Sequence, residues 1–315
     1  MTPFGTTRDG ETVHRIVLSG GGLTVGLLTL GAIVQSVRLE GVEHDLTIGS
    51  TDLADYETSM GYHGAIVGPV ANRLRQAQAP IGGVMHHFDA NQDGTHALHG
   101  GKDGTHAKLW TVADHGPVHA TLTLDLAAGD GGYPGNRHIR ATFRLLPDAT
   151  LQLEITGTTD APTLMNLANH SYWTLDGGPT WAGHDIRVAA DHYLPIDDAV
   201  LPTGEIALVE GTPFDLRRTV SISPGNPAVD HNFCLSVSKQ SLRDVLWLNG
   251  SSGVSMTVAT TEPGVQVFDG RPGYRALAIE AQGWPDAPNV AAFPSVEVTP
   301  DVPYSQTTQW RFSTG

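Results

Sequence analysis

The chain has 315 residues, 40% of them hydrophobic and 16% charged, a composition that suits a globular protein with a sizeable core. Its formal net charge is −15, from 33 acidic and 18 basic residues, and such a surface repels phosphate backbones and anionic lipid, so nucleic-acid and membrane partners are disfavoured. Lys102, Lys108 and Lys239 are the only lysines and none lies in a desolvating apolar run, which argues against Schiff-base catalysis; a single cysteine, Cys234, rules out an intramolecular disulfide.

The first residues, Met1-Thr2-Pro3-Phe4-Gly5, show no basic stretch leading into an apolar one, and no run approaches 18 apolar residues. With a lone thiol, this predicts a cytoplasmic protein. Period-two alternation then recurs along the chain. It predicts strands at 23–30 and 32–39, at 121–126, where every leucine falls on one face, and at 138–146, 151–155 and 185–189. Further strands are predicted at 245–248, 254–258, 277–281 and 307–312. One short helix is expected, 52–59, with Ser50 or Thr51 as its cap. Turns such as Gly20-Gly21-Gly22, Asp176-Gly177-Gly178-Pro179 and Ser223-Pro224-Gly225-Asn226 separate the strands. Many short strands with dense turn chemistry predict an all-β chain, a large antiparallel β-sandwich with very little helix. No compositional shift marks a boundary, so residues 1–315 are read as one domain.

Five polar clusters stand out: Gly68 to Leu74, containing Asn72 and Arg73; Asn91 to Gly101, ending Leu98-His99-Gly100-Gly101; Asn166 to Trp173, containing His170 and Tyr172; Asp230 to Phe233; and Ala278 to Ala287, containing Glu280 and Gln282. Taken singly, most have an ordinary structural reading. Arg73 suits a solvated strand surface, and Asp230 a turn. Glu280 is the exception, because it follows the apolar run Leu277-Ala278-Ile279, and a carboxylate buried there must be paired or functional. Trp173, Trp284, Phe233 and Tyr172 are either core residues or platforms on which a sugar ring stacks. A metal site is not expected: adjacent His86 and His87 in a strand point to opposite faces, and His96 and His99 lack a nearby Cys or acidic partner.

Taken in order, the clusters resemble the aldose 1-epimerase (galactose mutarotase) family, and the Gly132–Gly135 loop and the Phe293-Pro294 and Pro300…Tyr304 pieces fit as well, so the resemblance spans nearly the whole chain. It implies a supersandwich fold with an open cleft on one sheet. It also implies exchange of α and β anomers of a free monosaccharide, without cofactor or metal; a monomer or homodimer is expected. By position, Glu280 matches the catalytic base and His170 the catalytic acid. His99 matches a second histidine near the ring oxygen, and Arg73, Asn72 and Asp230 match groups that hold hydroxyls. Gln282 and Tyr172 fall beside these motifs. The chain departs from the family at Pro69, where arginine is frequent, at Trp173, where Phe is common, and at Ala168, where Thr is common, so the sugar's surroundings are expected to differ.

Anomer exchange needs a proton taken from the C1 hydroxyl and one delivered to the ring oxygen, work for a carboxylate and an imidazolium near neutral pH. Burial is expected to raise the pKa of Glu280, and neighbouring carboxylates to keep His170 charged. Three rival functions compete with this one. A phosphosugar 1-epimerase of the same superfamily needs a basic cluster, drawn from Arg73, Arg75, Arg271 and Arg275. A glycoside hydrolase pairing Glu280 with Asp230 leaves the histidine motifs without a role. A non-catalytic carbohydrate-binding protein has no need of an acid–base pair.

Overall fold

Alternating apolar residues on long strands must be covered on one face, and here they are covered by one another. A computed structural model describes residues 1–270, 273 and 275–315. Its largest sheet has nine strands, running in space Thr111–Gly116, His119–Leu126, Arg137–Leu146, Thr150–Thr159, Tyr304–Thr314, Val254–Thr260, Arg243–Asn249, Asp185–Val188 and Val220–Ser221. A four-stranded sheet is built from Thr2–Thr6, Thr12–Gly20, Leu23–Leu28 and Val34–Leu39, and a six-stranded sheet carries three of the polar clusters. Every ladder between these strands is antiparallel. Leu122, Leu124, Ile139, Phe143, Leu153 and Ile155 from the nine-stranded sheet meet Val25 and Leu27 from the four-stranded sheet and Val265, Val267, Leu277 and Ile279 from the six-stranded one in a continuous core. This is the expected all-β sandwich.

The predicted strands are all present with ends moved by a few residues; the 307–312 prediction, for example, extends to Tyr304–Thr314. The helix is shorter than expected, Leu53–Tyr56, and its cap is Asp52 rather than Ser50 or Thr51: Asp52 Oδ1 accepts from Ala54 N at 3.0 Å, while Ser50 Oγ accepts from Asp52 N. The aspartate sits one residue nearer the first free amides, and so takes the capping role. Two strands that alternation does not reveal, Asp230–Cys234 and Gly264–Phe268, lie in the six-stranded sheet. Among the described residues, no helix is long and apolar enough to cross a membrane.

The six-stranded sheet runs Tyr172–Trp173, Leu277–Gln282, Gly264–Phe268, Asp230–Cys234, His192–Tyr193 and Ala207–Leu208. Its register pairs Tyr172 with Ala278, Gln266 with Glu280 and Asn232 with Gln266. Since paired residues share a face, Leu277 and Ile279 enter the core, whereas Ala278, Glu280 and Gln282 face the other way with Gln266, Asn232 and Asp230. Loops cover that second face, so all six residues of Leu277–Gln282 are buried. Asn166 fastens this strand's exit to the segment leading to His170: its Nδ2 donates to Gly283 O at 3.1 Å, and its Oδ1 accepts from Gly283 N at 2.7 Å. Replacing it with alanine leaves a buried donor and acceptor unmet. Asn166→Ala should therefore lower the unfolding free energy by about 2–4 kcal/mol in urea titrations; a loss near zero would show that the clamp contributes nothing.

Candidate active site

His170 lies between two very short strands that pair with different partners, Ala168–Asn169 with Ile66–Val67 and Tyr172–Trp173 with Leu277–Gln282. Its backbone is pinned on both sides, N–H to Ala65 O at 2.8 Å and carbonyl to Gly64 N at 3.0 Å, and Asn169 Nδ2 also donates to Gly64 O. Only glycine fits at position 64: its φ is +72°, and a Cβ there would stand 2.2 Å from Val34 O. Held in this way, His170 Nε2 lies 3.5 Å from Glu280 Oε1, and both side chains are sealed, with relative exposures of 6% and 3%.

Above this pair opens a cleft of about 420 Å³. Of the predicted residues, Arg73, Asn72, His99, His170, Tyr172, Asp230 and Glu280 all line it. Gln282 faces the same way but is fully covered and lies outside the lining. Arg73 Nε donates to Gln92 Oε1 at 2.8 Å, and its Nη1 lies 3.9 Å from Asp230 Oδ2. Asp230 Oδ1 in turn accepts from Gln266 Nε2 at 2.6 Å. Gln266 escapes sequence reasoning because its strand does. Tyr62, His63 and His106 also line the cleft, and in the sequence they look like ordinary loop residues; a tyrosine–histidine pair following the helix is the only sign of them there.

The rings pack closely. His99 meets His170 edge-on with centroids 5.1 Å apart, Tyr62 lies 4.8 Å from His99 and 4.7 Å from His106, and His63 stacks on Tyr172 at 4.1 Å. Of the aromatics considered as platforms, only Tyr172 reaches the cleft. Trp173 is in the main core beside Trp310 and Phe312, Phe233 is in the same core, and Trp284 packs on Phe293. Pro69 is buried behind the cleft and its carbonyl accepts from Asn166 N, so the departure there touches the frame rather than the lining.

Burial dominates the electrostatics. It raises the Glu280 carboxyl to about 8, with the negative charge of Asp230 adding to the rise and Arg73 opposing it. Burial also lowers His170 to about 3, and positive charge on His63 or His106 would push it down further. The expectation that neighbouring carboxylates keep His170 charged is therefore corrected, because loss of water outweighs them. His99 is held well below its ordinary value for the same reason, and His63 and His106 fall to about 4.

His99, His170 and Glu280 each bring a ligand-type atom to within 4.8 Å of the others, the one such grouping among the described residues. The wiring of His99 nevertheless suits a donor. Its Nδ1 accepts from Asn72 N at 3.0 Å, so the neutral ring carries its proton on Nε2. A metal-bound imidazole is wired in reverse, donating through its second nitrogen. Asn72 and His99, with φ of +62° and +52°, face each other across this contact, and His99 N returns a bond to Asn72 O at 2.9 Å.

A buried carboxyl–imidazole pair thus lies at the base of a cleft rich in hydrogen-bonding groups and rings, set on one sheet of an antiparallel sandwich. The sequence model of the family described as aldose 1-epimerase matches residues 14–311. Galactose mutarotase of Mus musculus is 34% identical over 339 residues, covering 99% of this chain and 98% of that protein. Aldose 1-epimerase of Escherichia coli K12 is 26% identical, covering 96% of each. Among solved structures, an aldose epimerase homologue from C. elegans superposes with a TM-score of 0.88 at 28% identity, covering 96% of this chain and 99% of that one. Galactose 1-epimerase from Lactobacillus acidophilus gives 0.85 at 27%, covering 99% and 97%. The chain belongs to the aldose 1-epimerase family.

A carboxyl raised by burial makes folding pH-dependent. Because the folded pKa of Glu280 lies above the ordinary value of 4.5, stability is fullest below that value and falls as pH rises through about 8. Glu280→Gln removes this penalty. Its melting temperature should match the wild type near pH 5 and exceed it by a few degrees at pH 8, at roughly 2 °C per kcal/mol. A constant offset between the two proteins at all pH values would contradict the assignment.

Proposed function

We propose that the chain interconverts the anomers of a free aldose, with Glu280 as general base and His170 as general acid. The observation that carries this reading is the sealed 3.5 Å approach of Glu280 Oε1 to His170 Nε2 at the base of the cleft. With Glu280 raised and His170 lowered, the pair holds one proton between about pH 3 and pH 8. That proton has two arrangements, carboxylate with imidazolium or carboxylic acid with neutral imidazole. A hydroxyl at C1 donating to Glu280 favours the first. Glu280 then takes the C1 hydroxyl proton while His170 gives its own to the ring oxygen, the C1–O5 bond breaks, and the open aldehyde forms. The pair is left as carboxylic acid and neutral imidazole, the arrangement that a dry site favours anyway. Rotation about C1–C2 and the reverse transfers close the other anomer. The proton count of the pair is unchanged throughout.

His99, with its proton on Nε2, serves as a fixed neutral donor to the sugar, and Arg73, Asn72 and Asp230 as holders of its hydroxyls. Tyr172 offers a ring face, and Gln282 lies covered on the same side as Glu280, outside the lining. Residues 1–315 are read as one domain, supported by a core cluster that runs from Ile16 to Phe312. The name of the mouse relative makes D-galactose the first aldose to test. A phosphorylated sugar is the weaker reading: Arg75 is engaged by Asp197, Asp286 and Pro202 O outside the cleft, and Arg271 lies outside the described residues.

Polarimetry on freshly dissolved α-D-galactose and α-D-glucose tests this. Loss of either proton-transfer group, in Glu280→Gln or His170→Asn, should cost about 10²–10⁴ in kcat/KM with sugar binding retained. A wild-type protein that accelerates no free aldose would sink the proposal. In the wild type, kcat/KM should stay level through neutral pH and fall above about 8, as the pair loses its shared proton. Because the charge on Asp230 helps to raise Glu280, Asp230→Asn should shift that fall to lower pH; a shift upward would contradict it.

A further inference from the structure

The core face of the strand Tyr304–Thr314 carries two polar groups that an apolar core does not require. Tyr304, Gln306, Thr308, Trp310 and Phe312 alternate onto that face, and all five are buried. Trp310, Phe312 and the ring of Tyr304 join the main core. The Tyr304 hydroxyl and the Gln306 amide are costly to bury unless each finds partners. Both do, and the partners lie outside the strand's own sheet. Leu167 N donates to Tyr304 Oη at 3.2 Å, Tyr304 Oη donates to Gln306 Oε1 at 3.0 Å, and Gln306 Nε2 donates to Ala281 O at 2.8 Å. The direction of this chain is fixed from both ends. The Leu167 N–H can only donate and the Ala281 carbonyl can only accept, so the amide turns its nitrogen to Ala281 and its oxygen to the hydroxyl. Leu167 O, 3.3 Å from Tyr304 Oη, is a second and longer acceptor.

The two ends of this chain are the two catalytic segments, provided that Glu280 and His170 have the roles proposed above. Leu167 stands three residues before His170, and Ala281 directly follows Glu280. The strand ladder that joins the two segments pairs Tyr172 with Ala278 and Trp173 with Leu277, and stops two residues short of Glu280. The Asn166 clamp acts on the far side of Glu280, at Gly283. The hydroxyl–amide bridge falls between these two ties and is the nearest of the three to Glu280. We propose that Tyr304 and Gln306 are positioning residues for the reaction, whose shared hydrogen-bond chain sets the separation of Glu280 and His170 from outside the cleft. Neither residue belongs to the cleft lining. Bonds that only satisfied buried groups would contribute to stability and leave turnover alone. A bridge that sets the geometry of proton transfer acts on the rate, because a shift of about 1 Å at the reacting groups costs up to about 100-fold.

Tyr304→Phe keeps the ring and deletes the hydroxyl, and Gln306→Leu replaces the amide with an apolar group of similar size. Each is compared with the wild type by polarimetry, on an aldose that the wild type turns over and well below the melting temperature of each variant. Both should lower kcat at least ~10-fold and leave KM within ~2-fold, because Arg73, Asn72 and Asp230, the proposed holders of the sugar, stand on other segments. The double variant should lose no more than the more affected single variant, since either change breaks the same bridge. Thr308→Val is the control. Thr308 lies on the same face of the same strand, and its Oγ1 meets Thr260 Oγ1 at 3.1 Å within the nine-stranded sheet, away from both catalytic segments. It should lower the melting temperature and leave kcat within ~2-fold. The inference is overturned if Tyr304→Phe or Gln306→Leu folds and keeps the wild-type kcat, if KM rises instead of kcat falling, or if the two losses simply add. Slowing of Thr308→Val to the same degree would overturn it as well. A wild type that accelerates no aldose refutes the proposed function instead, so the two failures are distinguishable.

Discussion

A carboxyl group shut away from water has to find a countercharge or keep a proton, and Glu280 sits where it must share one. Its partner, His170, is equally dry, so neither group can settle its charge without the other. The approach of the two depends on a ladder of only two residue pairs, Tyr172 with Ala278 and Trp173 with Leu277. The rest of the neighbourhood can be understood as support for that short ladder. Gly64 and Ala65 fix the backbone of His170, Asn166 ties the segment leading to His170 to the end of the Glu280 strand, and Gln266 and Arg73 hold Asp230 at a set position beside Glu280.

The sandwich is legible because long strands obey a strict rule. Thr121 to Leu126 and Leu151 to Ile155 put apolar side chains on one face, and those faces form the core. The site strands obey it less openly. Leu277–Gln282 is buried on both faces, so its alternation survives only as core-facing Leu277 and Ile279 against Glu280 and Gln282. Asp230–Cys234 and Gly264–Phe268 turn Asp230, Asn232 and Gln266 to the face away from the core, the side of Glu280. The helix cap falls one residue from its expected place, since Asp52 and its serine and threonine neighbours are all competent caps and only geometry selects among them.

Individual site residues differ in the same way. Glu280 declares itself, because a carboxylate after an apolar run has no bland explanation. His99 and Asp230 gain weight only from the ordered set of motifs. Tyr62 and His63 come from a turn and His106 from the short 3-10 turn Thr105–Ala107, none with a distinctive sequence, and their proximity to the pair arises entirely from the fold. The charge state of His170 is hidden for a related reason: sequence shows which charges are near in the chain, but not how much water is excluded when four histidines and two tyrosines crowd into one cleft.

The tryptophans carry a practical consequence. Trp173 and Trp310 face each other in the core, Trp284 packs on Phe293, and among the described residues no tryptophan lines the cleft. Occupancy of this cleft will therefore leave their emission almost unchanged, while unfolding will alter it strongly. For this molecule indole fluorescence is a gauge of the fold and is blind to the ligand, and occupancy of the cleft has to be followed through the tyrosines and histidines that form it.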